Sequence, residues 1–180
     1  MINQIISHPE YSFQIGLIVS EIYDVRNDTM SLIKKLSADE LDSVFGKFNN
    51  SIGTLLFHFA ALEFKFQCNY LFKRKVTVEE YDKYKIGLPP LMSDRLVGKN
   101  ELEFYIQELN DTRNRTLAAL KTLNDDWLFE NVKARDGRVL GNNYYFLKHY
   151  LMHDELCHQG QIKIMLKVLK KESKRCELKN

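Results

Sequence analysis

Residues 52–72 read IGTLLFHFAALEFKFQCNYLF, a run that is helical in pattern and apolar on most sides. Such a helix has no wide polar face to give to water, so it belongs at the centre of a packed domain. Asn49, Asn50 and Ser51 precede it as cap candidates, because a short side-chain oxygen can accept from the free amides of a first turn. Further upstream, apolar residues recur between Glu10 and Leu36 at Phe13, Leu17, Val19, Tyr23, Met30 and Ile33, roughly the spacing of one helix face. Ser37 with Glu40 has the form of a capping box and predicts a short helix ending near Gly46.

Downstream, residues 73–98 hold Lys73-Arg74-Lys75, Tyr81, Tyr84, Pro89 and Pro90. They read as a long connection with one short helix, and connections of that length are often functional or mobile. Asn100 then caps a third long helix over about 101–123, with Leu102, Ile106, Leu109, Leu117 and Leu120 inward. A second irregular stretch, 125–141, carries the Asp136-Gly137 turn signal. Asn142 or Asn143 opens a fourth long helix that runs to about Lys171. The chain has only 8 Gly and 3 Pro and no convincing strand alternation. The fold class is therefore all-α, a four-helix bundle with a long connection between its second and third long helices.

The whole chain, residues 1–180, reads as one domain. Its 26 Lys and Arg balance 24 Asp and Glu, which argues against a nucleic-acid partner. The basic C-terminal end, Lys167 to Arg175, reads as favourable charge at a helix C-terminus and a solvated tail. Three scattered cysteines, Cys68, Cys157 and Cys176, make no disulfide framework and fit a reducing cytoplasm. No long apolar run and no signal peptide are evident, so no membrane partner is expected.

Polar residues interrupt the buried faces at a few places. Leu147, Leu151, Asp154, His158, Ile162, Met165 and Leu169 form one stripe of the fourth helix, since four residues advance a helix by only about 40° of rotation. Asp154 and His158 are the exceptions in an otherwise apolar line, and buried polar groups need partners. His58 lies between Phe57 and Phe59 in the central helix. Inward side chains on facing helices build the metal sites of bundles. Two imidazoles and a carboxylate suit zinc or another first-row divalent ion, with a coordination position left open. The residues alone leave a second reading, in which Asp154 and His158 pair with each other or with basic side chains of a neighbouring helix. His149 and His153 form a rival i,i+4 pair; His153 is about 140° from His158, so this pair reads as surface or interface. Cys157 reads as packing.

The segment LSADELDSVFGKFNNSIGTLLFHFAALE, residues 36–63, resembles the first block of the DinB-like, DNA-damage-inducible family. The segment HYLMHDELCHQGQIKIML, residues 149–166, resembles that family's last helix, with His158-Gln159-Gly160-Gln161 its most specific part. The resemblance implies an up-down-down-up four-helix bundle that forms a homodimer. It also implies three metal ligands for Zn or Ni: one on the second helix, here His58, and a pair on the last, here Asp154 and His158. Asp154 stands where the family has His, a departure; a one-residue shift would recruit His153 instead and would need a bulge in the helix. The resemblance further implies a thiol S-transferase, in which the metal activates a small-molecule thiol such as bacillithiol against an electrophile. Segments 73–98 and 125–141 would shape the pocket, with Tyr81, Tyr84 and Arg138 as candidates. A metal-dependent hydrolase and a non-catalytic stress-response bundle are the alternatives.

Overall fold

The computed structural model describes residues 4–45, 50–89, 91 and 97–177, with side chains as far as Arg175. Gly46 and Asn49, expected as a helix end and a cap, Pro90, and the side chain of Cys176 lie outside the described residues. Helix α1 spans Phe13–Ile33, α2 Ala38–Asp42, α3 Ile52–Phe66, α4 Val78–Tyr84 and α5 Leu102–Leu120. They are followed by α6 (Asp126–Phe129), strands β1 (Asn131–Lys133) and β2 (Val139–Asn142), α7 (Asn143–Lys148) and α8 (Asp154–Glu177). A π turn, Gln67–Leu71, extends α3, and a second, His149–His153, joins α7 to α8.

Local chemistry sets several of these boundaries. The Ser37–Glu40 capping box forms as expected, and Thr77 with Glu80 makes another at α4. Ser51 caps α3 by accepting from the Thr54 amide, and Asn142 caps α7. The cap expected at Asn100 falls instead on Glu101, whose side chain makes no capping bond. Residues 125–141 are more ordered than expected. After α6 the chain forms an antiparallel hairpin pairing Asn131 with Asn142 and Val132 with Gly141, with a bulge after Val132. Its turn uses Gly137 at φ +84, the left-handed region glycine enters without steric cost.

Of the face expected for α1, Val19 and Ile33 are buried and Leu17 and Met30 partly so, but its two aromatic residues are not. Phe13 and Tyr23 are exposed, and Ile15, Ile18, Val19, Ile22, Val25, Thr29 and Ile33 are buried. The aromatic residues counted toward the wrong stripe. On α5 the expected residues are inward, Leu102, Leu109, Leu117 and Leu120 being buried and Ile106 partly so.

The core has two apolar clusters. One gathers Ile33, Leu56, Phe57, Tyr105, Leu109, Ile162 and Met165; the other gathers Ile15, Ile22, Phe66, Leu117, Trp127, Leu147 and Leu151. Helix α1 and the continuous α7–α8 segment run from the second cluster to the first, and α5 runs from the first to the second. A buried polar belt crosses the bundle between them: Arg26 and Thr29 on α1, Glu63 on α3, Thr112, Arg113 and Thr116 on α5, Glu155 and Gln159 on α8. Among the described residues, no helix is long and apolar enough to cross a membrane.

Candidate metal centre

His58 sits mid-way along α3, almost wholly buried at 4% exposure. Its Nδ1–H donates to the Gly87 carbonyl at 2.7 Å. A carbonyl only accepts, so this bond assigns the ring proton to Nδ1 and leaves Nε2 for other work. The carbonyl gets there because Gly87 has no side chain: a Cβ would lie 2.8 Å from the Ala61 Cβ and 2.9 Å from the Phe57 Cδ1. Sequence reasoning missed Gly87. Its only signal was a glycine inside the long connection, in Lys-Ile-Gly-Leu-Pro.

Asp154 and His158 face His58 from α8. Asp154 Oδ2 is 3.1 Å from His58 Nε2 and 3.7 Å from His158 Nε2. One donor atom from each of the three residues can be chosen so that all lie within 4.8 Å of one another. Tetrahedral ligands at about 2.05 Å from zinc are about 3.4 Å apart, which the two observed separations bracket. With Nδ1 protonated, a neutral His58 turns a lone pair toward a carboxylate oxygen. Two acceptors that close need a positive charge between them, either a second ring proton or a metal cation. The trio carries one negative charge when its imidazoles are neutral, the correct sign for holding a cation. His158 Nδ1 is also buried without a hydrogen-bond partner among the described residues, so the cluster has unused donor capacity. The residues present therefore fit a divalent ion.

Burial pushes the Asp154 carboxyl up, but the His58 hydrogen bond and the charges of His58, His158 and His149 outweigh it and hold it below the usual aspartate value. The Asp154 and His158 side chains are 25% and 19% exposed against 5% for His58, so the cluster opens on the α8 side. The rings of Phe59 and His58 flank His158, at 6.0 and 5.3 Å between centroids.

The next residue along α8 in each case does something different. Glu155 accepts from Arg26 Nε and Nη2 at 2.9 and 3.0 Å and from the Thr29 hydroxyl. Arg113 Nε donates to both oxygens of Glu63, at 2.9 and 3.1 Å, and Thr116 donates to the same carboxylate at 2.7 Å. Gln159 Nε2 donates to the Val25 carbonyl and to Thr29. Burial pushes Glu63 up, but Arg113 and Arg26 hold its carboxyl below the ordinary value. Each of the four long helices thus contributes one charge to a balanced quartet behind the trio. Sequence reasoning missed the quartet.

Several expected site residues lie elsewhere. Tyr84 is core, stacked on Phe64 at 4.3 Å, with its hydroxyl bonded to Glu108. Tyr81 is exposed, and Arg138 is an exposed hairpin residue paired with Asp136. None of the three has a described contact with the trio. Cys157 is exposed rather than packed. His149 and His153 are exposed, as expected for surface residues. The bulge imagined for recruiting His153 exists as the π turn, yet it is Asp154 that joins the two histidines.

A family model described as the DinB superfamily matches residues 21–162. The chain belongs to the DinB superfamily. The match takes in all four long helices in whole or part, His58, Asp154 and His158 among them. The superfamily is metal-associated. No match among curated proteins accompanies it.

Proposed function

We propose that this DinB-superfamily protein is a metal-dependent enzyme that transfers a small-molecule thiol to an electrophile, with a divalent ion held by His58, Asp154 and His158. The observation that carries the reading is the His58 ring. Its Nδ1 is tied to Gly87 and its Nε2 is turned to Asp154, the outer-shell arrangement that fixes the tautomer and orientation of a metal-ligating histidine. A divalent ion in such a site, zinc or nickel in the resemblance, makes a coordinated thiol or water acidic enough to act as a nucleophile at neutral pH.

The chain's own residues supply the rest. Gly87 keeps His58 from rotating. Asp154 lowers the charge of the loaded site. The half-open side between Asp154 and His158 admits the reactants, and Phe59 gives that opening an apolar wall. In the reaction the thiolate sulfur forms a bond to the electrophilic carbon, the leaving group departs with its electron pair, and the thiol proton goes to solvent.

The test is a thiol-consumption assay with a halogenated conjugated electrophile and a panel of low-molecular-weight thiols. Chelated protein and His158→Ala should be inactive, metal-reloaded wild type active, and the exposed control His153→Ala unchanged. Activity that survives chelation would sink the reading. A second reading has its own observation: the His58–Asp154 hydrogen bond already closes the cluster, so the bundle could be non-catalytic. Reloaded protein inert toward every thiol would favour it.

A further inference from the structure

We infer that Asp154 shifts this site's preference toward divalent iron, and toward manganese as its close analogue, relative to a site of three imidazoles. The inference rests on the metal-centre reading above and deepens it. It concerns one residue of this chain, the carboxylate on the first turn of α8.

Imidazole suits zinc, copper, iron and nickel, whereas carboxylate suits the earlier, oxygen-preferring ions. Two histidines and one carboxylate on one face of an ion, with the other positions open, is the donor set of non-haem Fe(II) centres. The structure assembles that set. Asp154 Oδ2 is the member common to both short separations, 3.1 Å to His58 and 3.7 Å to His158, so the carboxylate links the two imidazoles.

Among the described residues, no further His, Cys, Asp or Glu belongs to the cluster. Cys157 precedes His158 in sequence but is exposed, so no soft thiolate pulls the site toward zinc. His149 and His153 are exposed and contribute no third imidazole. Glu155, the nearest other carboxylate in sequence, is occupied by Arg26 and Thr29. The site is thus limited to one hard and two intermediate donors.

Absolute affinity still rises from manganese and iron to nickel for almost any donor set. The informative quantity is therefore a ratio of affinities compared between variants. The experiment is an anaerobic competition titration of Fe(II) and Mn(II) against Ni(II) and Zn(II), read as bound metal by mass spectrometry. It compares wild type, Asp154→His and Asp154→Glu, with helix content checked for each. Asp154→His is expected to move the ratio toward nickel by about tenfold or more, while Asp154→Glu, which keeps the carboxylate, stays near wild type. If Asp154→His fails to fold, the Asp154→Glu and wild-type ratios must still both exceed that of free imidazole in favour of iron and manganese. An unchanged ratio across foldable variants overturns the inference and leaves the metal centre standing. Wild type that takes up none of the four ions overturns the metal-centre reading itself, and this inference with it.

Discussion

Two polar clusters lie side by side in the middle of the bundle, one residue apart along α8, and they are built on opposite plans. The quartet of Arg26, Glu63, Arg113 and Glu155 is buried, balanced in charge and tied by charge-assisted bonds, with Thr29 and Thr116 taking up remaining lone pairs. The trio of His58, Asp154 and His158 is partly open and carries a net negative charge with neutral imidazoles; among the described residues each cluster leaves one buried nitrogen without a hydrogen bond, His158 Nδ1 in the trio and Arg113 Nη2 in the quartet. A polar cluster inside a protein is tolerated when it is saturated. Where one is left short of a positive charge while its neighbour is balanced in charge, the shortage points to a ligand. On this contrast the quartet is proposed to hold helices together and the trio to hold a ligand.

That contrast can be broken at its strong end first. Arg113→Leu removes both of the arginine's bonds to buried Glu63 and leaves it Arg26 at 3.5 Å and the Thr116 hydroxyl, so chemical denaturation should show a loss of about 3 kcal/mol, the low end for breaking a buried pair, whereas a metal-free trio variant should not approach this. Acid should act through the same group. Because the folded Glu63 carboxyl lies below its ordinary value, its contribution is complete above the unfolded glutamate pKa of about 4.3. It is lost as the pH falls through the lowered folded value. Wild type should therefore lose stability on acidification in that window, and Glu63→Gln should show a shallower slope there. A slope equal in both proteins would mean that Glu63 is not the group responsible.

An intermediate effect is expected at Gly87. A methyl group there meets Ala61 and the Phe57 backbone, and overpacking of this kind costs about 1–3 kcal/mol. Gly87→Ala should also loosen His58, so metal affinity should fall by about 10–100-fold, as for other outer-shell partners. Normal affinity in a destabilised variant would show that the Gly87 carbonyl does not position the ring. The smallest effect belongs to the trio without metal. Asp154→Ala in chelated protein removes one half-exposed hydrogen bond and should cost about 1 kcal/mol in urea titration. A loss as large as that of Arg113→Leu would erase the distinction between the clusters.

The trio was legible in the sequence and the quartet was not. Asp154 and His158 interrupt a regular apolar stripe, and His58 interrupts an apolar run, so both announce themselves by contrast. Arg26 and Arg113 sit in helices rich in charge, where a further arginine carries no contrast. The true face of α1, running through Ile15, Ile22 and Thr29, was hidden by Phe13 and Tyr23, which are exposed. Glu63 was the available signal, a carboxylate five residues after His58 in the most apolar helix. The two π turns left no local mark, because an extra residue in a helical turn is stabilised by what packs around it. Here Tyr70 of one turn lies against Phe146 and Tyr150 on the α7 side at 4.6 and 5.7 Å. The candidates Tyr81, Tyr84 and Arg138 came from composition of irregular segments, which says nothing of direction.

The central claim is that the trio, and not the quartet, is built for a ligand, and metal stoichiometry tests it most directly. Untagged wild type, His58→Ala, His158→Ala and the exposed control His153→Ala would be loaded, dialysed and assayed for bound metal by mass spectrometry. The account predicts about one ion per chain in wild type and in His153→Ala, and a loss in both trio variants. Wild type that stays empty after loading, or trio variants that keep their metal, would contradict it.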